Sequence, residues 1–209
     1  MKKFFTGMPL QVAGQLSAYH YQPVGNVKLE MEGEISFPIL TAVNGYAHEG
    51  EEIRIIAMVT DNEAARHNCD IFEEAARALC RKKNISCPRG VERVMVPENM
   101  EVATHAATFQ KLIEFADDHD ELYACMTFGT KPMSMALMMA VQYAYRVQRD
   151  AHIECVVYGE VVRSGPDSSK WYGRVYDMTA LLQLDEIVNM MAEQRIKNPR
   201  AILDTLLSL

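Results

Sequence analysis

From Arg54 onward, short continuous apolar runs alternate with longer segments whose apolar residues recur every three or four positions. Arg54–Val59 is nearly all apolar, as a strand buried on both faces requires. Thr60-Asp61-Asn62-Glu63 follows, with a Thr and a Glu at capping-box spacing, and predicts a helix start at that Thr. Ala65, Phe72, Ala76, Leu79 and Cys80 then recur at helical period to about Lys83. The same reading gives a strand at Val91–Val96 and a helix through Val102, Ala106, Phe109, Leu112, Ile113 and Ala116. It continues with a strand at Leu122–Phe128, a helix from Pro132 to about Gln148 and a strand at Ile153–Tyr158. A further strand at Gly173–Tyr176 precedes a helix from Thr179 to about Gln194, carrying Leu181, Leu184, Ile187, Val188 and Met191. Strands alternating with helices of this length predict an α/β fold with a mainly parallel sheet covered by helices on both faces.

The first fifty residues are less regular. Met1-Lys2-Lys3-Phe4-Phe5 is basic then apolar, but Gly7 and Pro9 end the run too soon for a signal peptide, so it reads as a first strand. Leu16–Tyr21 and Val27–Met31 alternate apolar and polar residues around Pro23-Val24-Gly25-Asn26, which predicts a hairpin. Ser36 to about His48 reads as a helix with Pro38 in its first turn. Asn198-Pro199 breaks the chain before a last apolar helix at Ala201–Leu207. Residues 1–197 are therefore expected to form one domain, and 198–209 a short helix used for packing or as a linker.

Composition narrows the function classes. The 209 residues carry a net charge of −7, against the broad basic face that DNA or a general nucleic-acid backbone demands. No stretch reaches the roughly 18 apolar residues of a membrane span. The five cysteines show no CxxC spacing, so neither a metal nor a disulfide framework is expected, and a reducing cytoplasm is the natural compartment. Nothing in the composition calls for a cofactor.

The stretch richest in chemistry runs from Tyr123 through Met139. There a strand passes through Thr127-Phe128-Gly129-Thr130-Lys131-Pro132 directly into a helix. Gly129 lets backbone N–H groups approach a ligand. Thr127 and Thr130 supply hydroxyls, one of which suits a helix cap. Pro132 fits a first helical turn. The helix N-terminus is positively polarised, and Lys131 adds a full charge beside it. In an open parallel sheet, ligands bind outside the carboxyl ends of the strands, where this turn is expected to lie. The same residues also fit a well-capped helix start with an exposed lysine. A second wall is suggested by the end of the first strand, Thr6-Gly7-Met8-Pro9-Leu10-Gln11; a plain strand end with a turn glycine fits it too.

Other signals are read as structural. Asp117-Asp118-His119-Asp120-Glu121 lies between a helix end and a strand, where solvated charge is normal rather than a divalent-cation site. The six histidines show no ligand spacing, and the methionines dense around Met133–Met139 recur as core residues do. The polar loop Ser164–Lys170 before Trp171 fits a surface connection or a lid.

Thr127-Phe128-Gly129-Thr130-Lys131-Pro132-Met133-Ser134, the Ile153–Gly159 strand with Tyr158-Gly159, and Tyr176-Asp177-Met178-Thr179 before a leucine-rich helix resemble the CRISPR-associated Rossmann fold (CARF) family. Tyr19, Tyr21 and Phe37-Pro38-Ile39-Leu40 are similar as well, so the resemblance covers nearly the whole chain. The family's pattern often has two adjacent glycines after the threonine; Phe128 stands in the first of these places here.

The resemblance implies a Rossmann-like, homodimeric sensor of cyclic oligoadenylate (tetra- or hexa-adenylate), the second messenger of type III CRISPR antiviral defence. Thr127, Gly129, Thr130 and Lys131 would hold phosphate and ribose, Thr6, Gly7, Met8 and Pro9 would line the adenine side, and Phe128 and Gln11 complete the implied ligand-binding set. Some relatives are ring nucleases. In them the RNA's own 2′-OH attacks the neighbouring phosphorus without a metal, leaving 2′,3′-cyclic phosphate ends. Lys131 would then stabilise charge, and Thr6 or Thr130 position the reacting groups. Many members carry a fused or separate effector. The usual ribonuclease pattern needs a late histidine, and none follows Asp177, so the expectation is a stand-alone sensor, a ring-cleaving enzyme or a fragment of a larger effector. An α/β enzyme acting on a mononucleotide or sugar phosphate at the same turn is the distant alternative.

Overall fold

A computed structural model of the chain describes residues 1–12 and 14–208. The strands are β1 (Lys2–Gly7), β2 (Tyr21–Val24), β3 (Ile53–Thr60), β4 (Val91–Val96), β5 (Glu121–Cys125), β6 (His152–Val162) and β7 (Tyr172–Asp177). The helices are α1 (Ile39–Tyr46), α2 (Glu63–Lys83), α3 (Val102–Ile113), α4 (Lys131–Val147), α5 (Thr179–Glu193) and α6 (Pro199–Leu207). The sheet runs in the order β2-β7-β6-β5-β1-β3-β4. Strands β1, β3, β4, β5 and β6 are mutually parallel, which gives the Rossmann-like α/β architecture expected of the alternating pattern.

Alternation along β1 divides the core between the two faces. Phe4 points to one side, where Ile39, Leu40 and Val43 of α1 and Ala65, Cys69 and Phe72 of α2 cover it. Phe5 points to the other, beneath Leu112 of α3 and Met133, Leu137 and Val141 of α4. Helix α6 buries no residue, and no helix among the described residues is long and apolar enough to cross a membrane.

The path of the chain fixes the crevice. From β1 it moves outward on one side to β3 and β4, then returns across β1 to β5 and continues the other way to β6. The strand order therefore reverses between β1 and β5, and at such a switch point the two connections leave the sheet in opposite directions and open a gap above its carboxyl edge.

The expected hairpin in the first fifty residues does not form. Tyr21–Val24 instead pairs in parallel with β7, Tyr21 opposite Gly173, as the edge strand of the sheet. Pro23 has no N–H to donate, which an edge strand tolerates. Val27–Leu29 is a 3-10 helix whose cap, Asn26, accepts a hydrogen bond from the Lys28 amide. Inside this excursion, among the described residues, only the Tyr19–Ile35 bridge is antiparallel. What holds Tyr21 in place is room: a Cβ on Gly173 would fall 2.5 Å from the Tyr21 ring. Asn26 then ties the excursion to the body by donating to Asp177 (2.6 Å) and to the Tyr46 hydroxyl (2.9 Å).

Two local expectations also shift. The cap of α2 is Asn62, whose side chain accepts from the Ala65 amide at 2.9 Å. Thr60 is still in β3, paired with Val96. Strand β5 ends at Cys125, three residues before Phe128, so more of the Thr127–Pro132 segment is turn than the apolar pattern suggested. The Asp117–Glu121 acids lie at the opposite edge of the sheet, where Asp117 (2.6 Å) and the buried Asp120 hold the fully buried ammonium of Lys3.

Candidate functional site

The turn between β5 and α4 is built by three local constraints. Met126 extends the strand by one bond, its N–H donating to the Val157 carbonyl of β6 at 3.1 Å. The Thr127 hydroxyl then accepts from the Gly159 amide at 2.7 Å and from the Cys125 thiol at 3.2 Å. Both its acceptor sites are filled, leaving the O–H proton as a donor. Burial pushes the Cys125 thiol up in pKa and keeps it the protonated partner in that pair. Gly129 adopts φ +93°, a left-handed conformation that a side chain would strain, with Met133 packed beneath it. Thr130 caps α4: its hydroxyl faces the Met133 amide at 3.5 Å, and its carbonyl accepts from the Ser134 amide at 3.0 Å.

Lys131 is the first residue of α4, exposed and without an ion pair among the described residues. The amides of Phe128, Gly129, Thr130 and Lys131 likewise donate to no acceptor among the described residues. These undonated N–H groups, a left-handed glycine and a helix N-terminus are the kinds of donor found at phosphate sites, and the Lys131 ammonium stands beside them.

The structure brings the two sequence-predicted walls together. Strands β1 and β5 are neighbours, with Thr6 opposite Cys125, so the end of β1 emerges beside the turn. Gly7 makes the approach close: a Cβ there would overlap the Phe128 carbonyl oxygen and lie 3.1 Å from its carbon. Phe128 packs edge-on against Phe37 at the start of α1, ring centroids 6.3 Å apart. A second helix start therefore borders the same crevice.

Not every candidate presents its side chain there. Thr6 is buried and its hydroxyl donates to the Gly7 carbonyl at 3.1 Å. Met8 is buried in the core on the α1–α2 side, and its amide donates to Met58. Pro9 is buried, while Gln11 is exposed. The loop carrying them is held by Asn68 of α2, whose side-chain amide donates to the carbonyls of Pro9 (2.9 Å) and Gln11 (2.8 Å). Sequence reasoning missed Asn68; its signal was an amide on the apolar stripe formed by Ala65, Cys69 and Phe72. Above the switch point, Thr60 at the end of β3 donates to the Met133 sulfur at 3.5 Å and so links the third central strand to the floor of the turn.

Other expected features are locally occupied. Trp171 donates to the Gly165 carbonyl and stacks under Arg163, which folds the Ser164–Lys170 loop onto itself beyond the end of β6. No group of three or more His, Cys, Asp or Glu side chains is gathered as a metal site would require, among the described residues. Compared with protein families and with curated proteins, the chain matches no family model and no curated sequence.

Proposed function

We propose that this protein is a receptor for cyclic oligoadenylate, the messenger of type III CRISPR defence, and that two copies bind one ring across a two-fold axis over the carboxyl ends of β1 and β5. The observation that carries the reading is the set of amides from Phe128 to Lys131 that have no acceptor, beside an ammonium without an ion pair, among the described residues, at the switch point of the sheet. Such a set of donors favours a phosphate, and charge-assisted hydrogen bonds to it are among the strongest a protein makes.

A ring with even rotational symmetry suits an isologous contact, in which each copy offers the same turn. The surface beside Lys131 suits such a contact. Met135 (66% exposed) and Met139 (51%) follow one and two turns along α4, with Met100 (64%) and Val102 (85%) next to them on the α3 side. Adjacent large apolar side chains in solvent mark an interaction surface. A mononucleotide would need neither a second copy nor this face.

The hydroxyls support binding over cleavage. Thr6, one of the groups expected to position an in-line attack, is buried and donates to the Gly7 carbonyl. Thr130 is occupied as a helix cap. Lys131 alone would stabilise charge on the phosphorane without placing the 2′-OH.

The test is an equilibrium titration with cyclic tetra-adenylate and cyclic hexa-adenylate, followed by chromatography of the nucleotide. One ring bound per two chains and recovered intact is the expected result. Linear products ending in 2′,3′-cyclic phosphate would convert the receptor into a ring nuclease. Failure of both rings to bind would end the proposal, and tight binding of a simple phosphate ester by a monomer would replace it with a mononucleotide or sugar-phosphate site.

A further inference from the structure

The turn between β5 and α4 has a second flank, and it is aromatic. Of the residues expected beside adenine, Thr6, Met8 and Pro9 are buried, so the β1 side of the crevice presents a base with little beyond backbone. Strand β6 stands on the other side. The Gly159 amide donates to the Thr127 hydroxyl at 2.7 Å, which fixes the backbone at Tyr158 one strand spacing, about 4.8 Å, from that end of the turn. Alternation then decides where the Tyr158 side chain goes. Val157 and Val175 belong to the core on the α1–α2 side, and Gly159 faces Pro38 and Tyr21 there. Val156 lies on the opposite face with Met133 and Leu137 of α4. Tyr158 and Glu160 therefore share the α4 face with their antiparallel partners, Tyr176 and Arg174.

Helix α5 leaves this end of the face open. It starts at Thr179, whose hydroxyl accepts from the Val156 amide at 2.9 Å, and runs towards the far end of α4, where Arg146 donates to Glu186 at 3.0 Å. Tyr158 is 41% exposed, and its hydroxyl makes no hydrogen bond among the described residues. Its neighbours are tethered. The Tyr176 hydroxyl donates to Glu160 at 2.8 Å, and the Arg174 guanidinium lies over the Tyr172 ring, 5.6 Å from its centroid. A free aromatic ring thus stands between two cations, Lys131 across the turn and Arg174 one cross-strand pair further along. Every nucleobase has a π-face, and aromatic rings flanked by positive charge are what proteins stack single-stranded nucleotides on.

We infer that Tyr158 is a base-stacking residue: with a phosphate held at the amides from Phe128 to Lys131, the adenine of the same nucleotide lies on the Tyr158 ring, and Tyr176 walls the seat on its far side. The inference rests on the receptor reading above and moves base recognition from the β1 wall to the β6–β7 ribbon. Two copies supply two such rings, so one base per subunit is stacked.

The experiment titrates cyclic tetra-adenylate and cyclic hexa-adenylate by calorimetry into the full chain and into its Tyr158→Leu and Tyr158→Phe variants. Losing one stack per subunit should weaken ring binding about 30-fold or more in Tyr158→Leu, whereas Tyr158→Phe keeps the ring face and should stay within about threefold of the parent. In the saturated parent, nuclear Overhauser contacts should join the aromatic protons of adenine to those of the Tyr158 ring, a measurement that decides the question if the leucine variant does not fold. Parental affinity in Tyr158→Leu, an equal loss in Tyr158→Phe, or a saturated complex without those contacts would overturn the inference and leave the receptor reading standing. If neither ring binds the parent, the receptor reading falls and the stacking role falls with it.

Discussion

Replacing Gly7 by alanine tests how tightly the two walls of the crevice are joined. The added methyl would overlap the Phe128 carbonyl oxygen, a backbone atom that cannot rotate away as the end of a side chain could. Strand β1 is fixed on both flanks, Gly7 pairing with Met58 of β3 and Thr6 with Cys125 of β5, so the turn must move by several tenths of an ångström. Forcing an extra methyl into a packed site costs about 1–3 kcal/mol. For a chain of this size that corresponds to a melting temperature lower by about 2–12 °C. The same displacement moves the Gly129 amide off its aim, so ring affinity should fall at least tenfold even where the variant is fully folded. Thermal unfolding followed by circular dichroism reads the first effect, and titration well below the melting temperature reads the second. An alanine variant with parental melting temperature and affinity would refute the close approach of Gly7 to the turn.

Lys131→Ala should leave stability within about 0.5 kcal/mol, because the side chain is exposed and without an ion pair among the described residues. Each copy then gives up one charge-assisted hydrogen bond to phosphate, at about 1.5–3 kcal/mol each, so ring binding by a dimer should weaken by about 10²–10⁴-fold, read by calorimetric titration. Thr127→Val strands the Gly159 amide that the hydroxyl accepts at 2.7 Å, and should cost about 1–3 kcal/mol in urea unfolding, whereas Thr127→Ser should recover most of it. The Arg54 guanidinium beside Glu92 holds that carboxyl below its usual value near 4.5. A depressed folded-state value means the pair's stabilisation is complete above that pH and is lost as pH falls through the lowered one. Glu92→Gln should therefore flatten the acid side of the stability profile relative to the parent.

The central strands were legible because burial on both faces leaves no choice but an apolar run, as in Arg54–Val59, and because turn chemistry is local. Gly129, Thr130 and Pro132 each act within a few residues of themselves, and the structure finds the turn where their order puts it. The excursion after β1 was not legible, since β2 pairs with β7, about 150 residues away. Its partner is chosen by the space that Gly159 and Gly173 leave for Tyr21 and Pro38, which no local alternation records. The antiparallel course of β7 was within reach: the connection Arg163–Trp171 is too short to hold a crossover helix. Thr60 misled because its spacing to Glu63 imitates a capping box, but pairing with Val96 keeps it in the strand and passes the cap to Asn62. At the site, backbone position was readable and side-chain commitment was not. Nothing local to Thr6 or Thr127 reveals that one hydroxyl turns back to Gly7 and the other accepts from β6.

The most direct test of the proposed anion site is a two-dimensional amide correlation spectrum of ¹⁵N-labelled protein recorded during titration with cyclic tetra-adenylate and cyclic hexa-adenylate. The amide signals of Gly129, Thr130 and Lys131 should move furthest and saturate together with the bound fraction, at one ring for every two chains. Saturable binding that leaves those three signals in place while shifting others would contradict it.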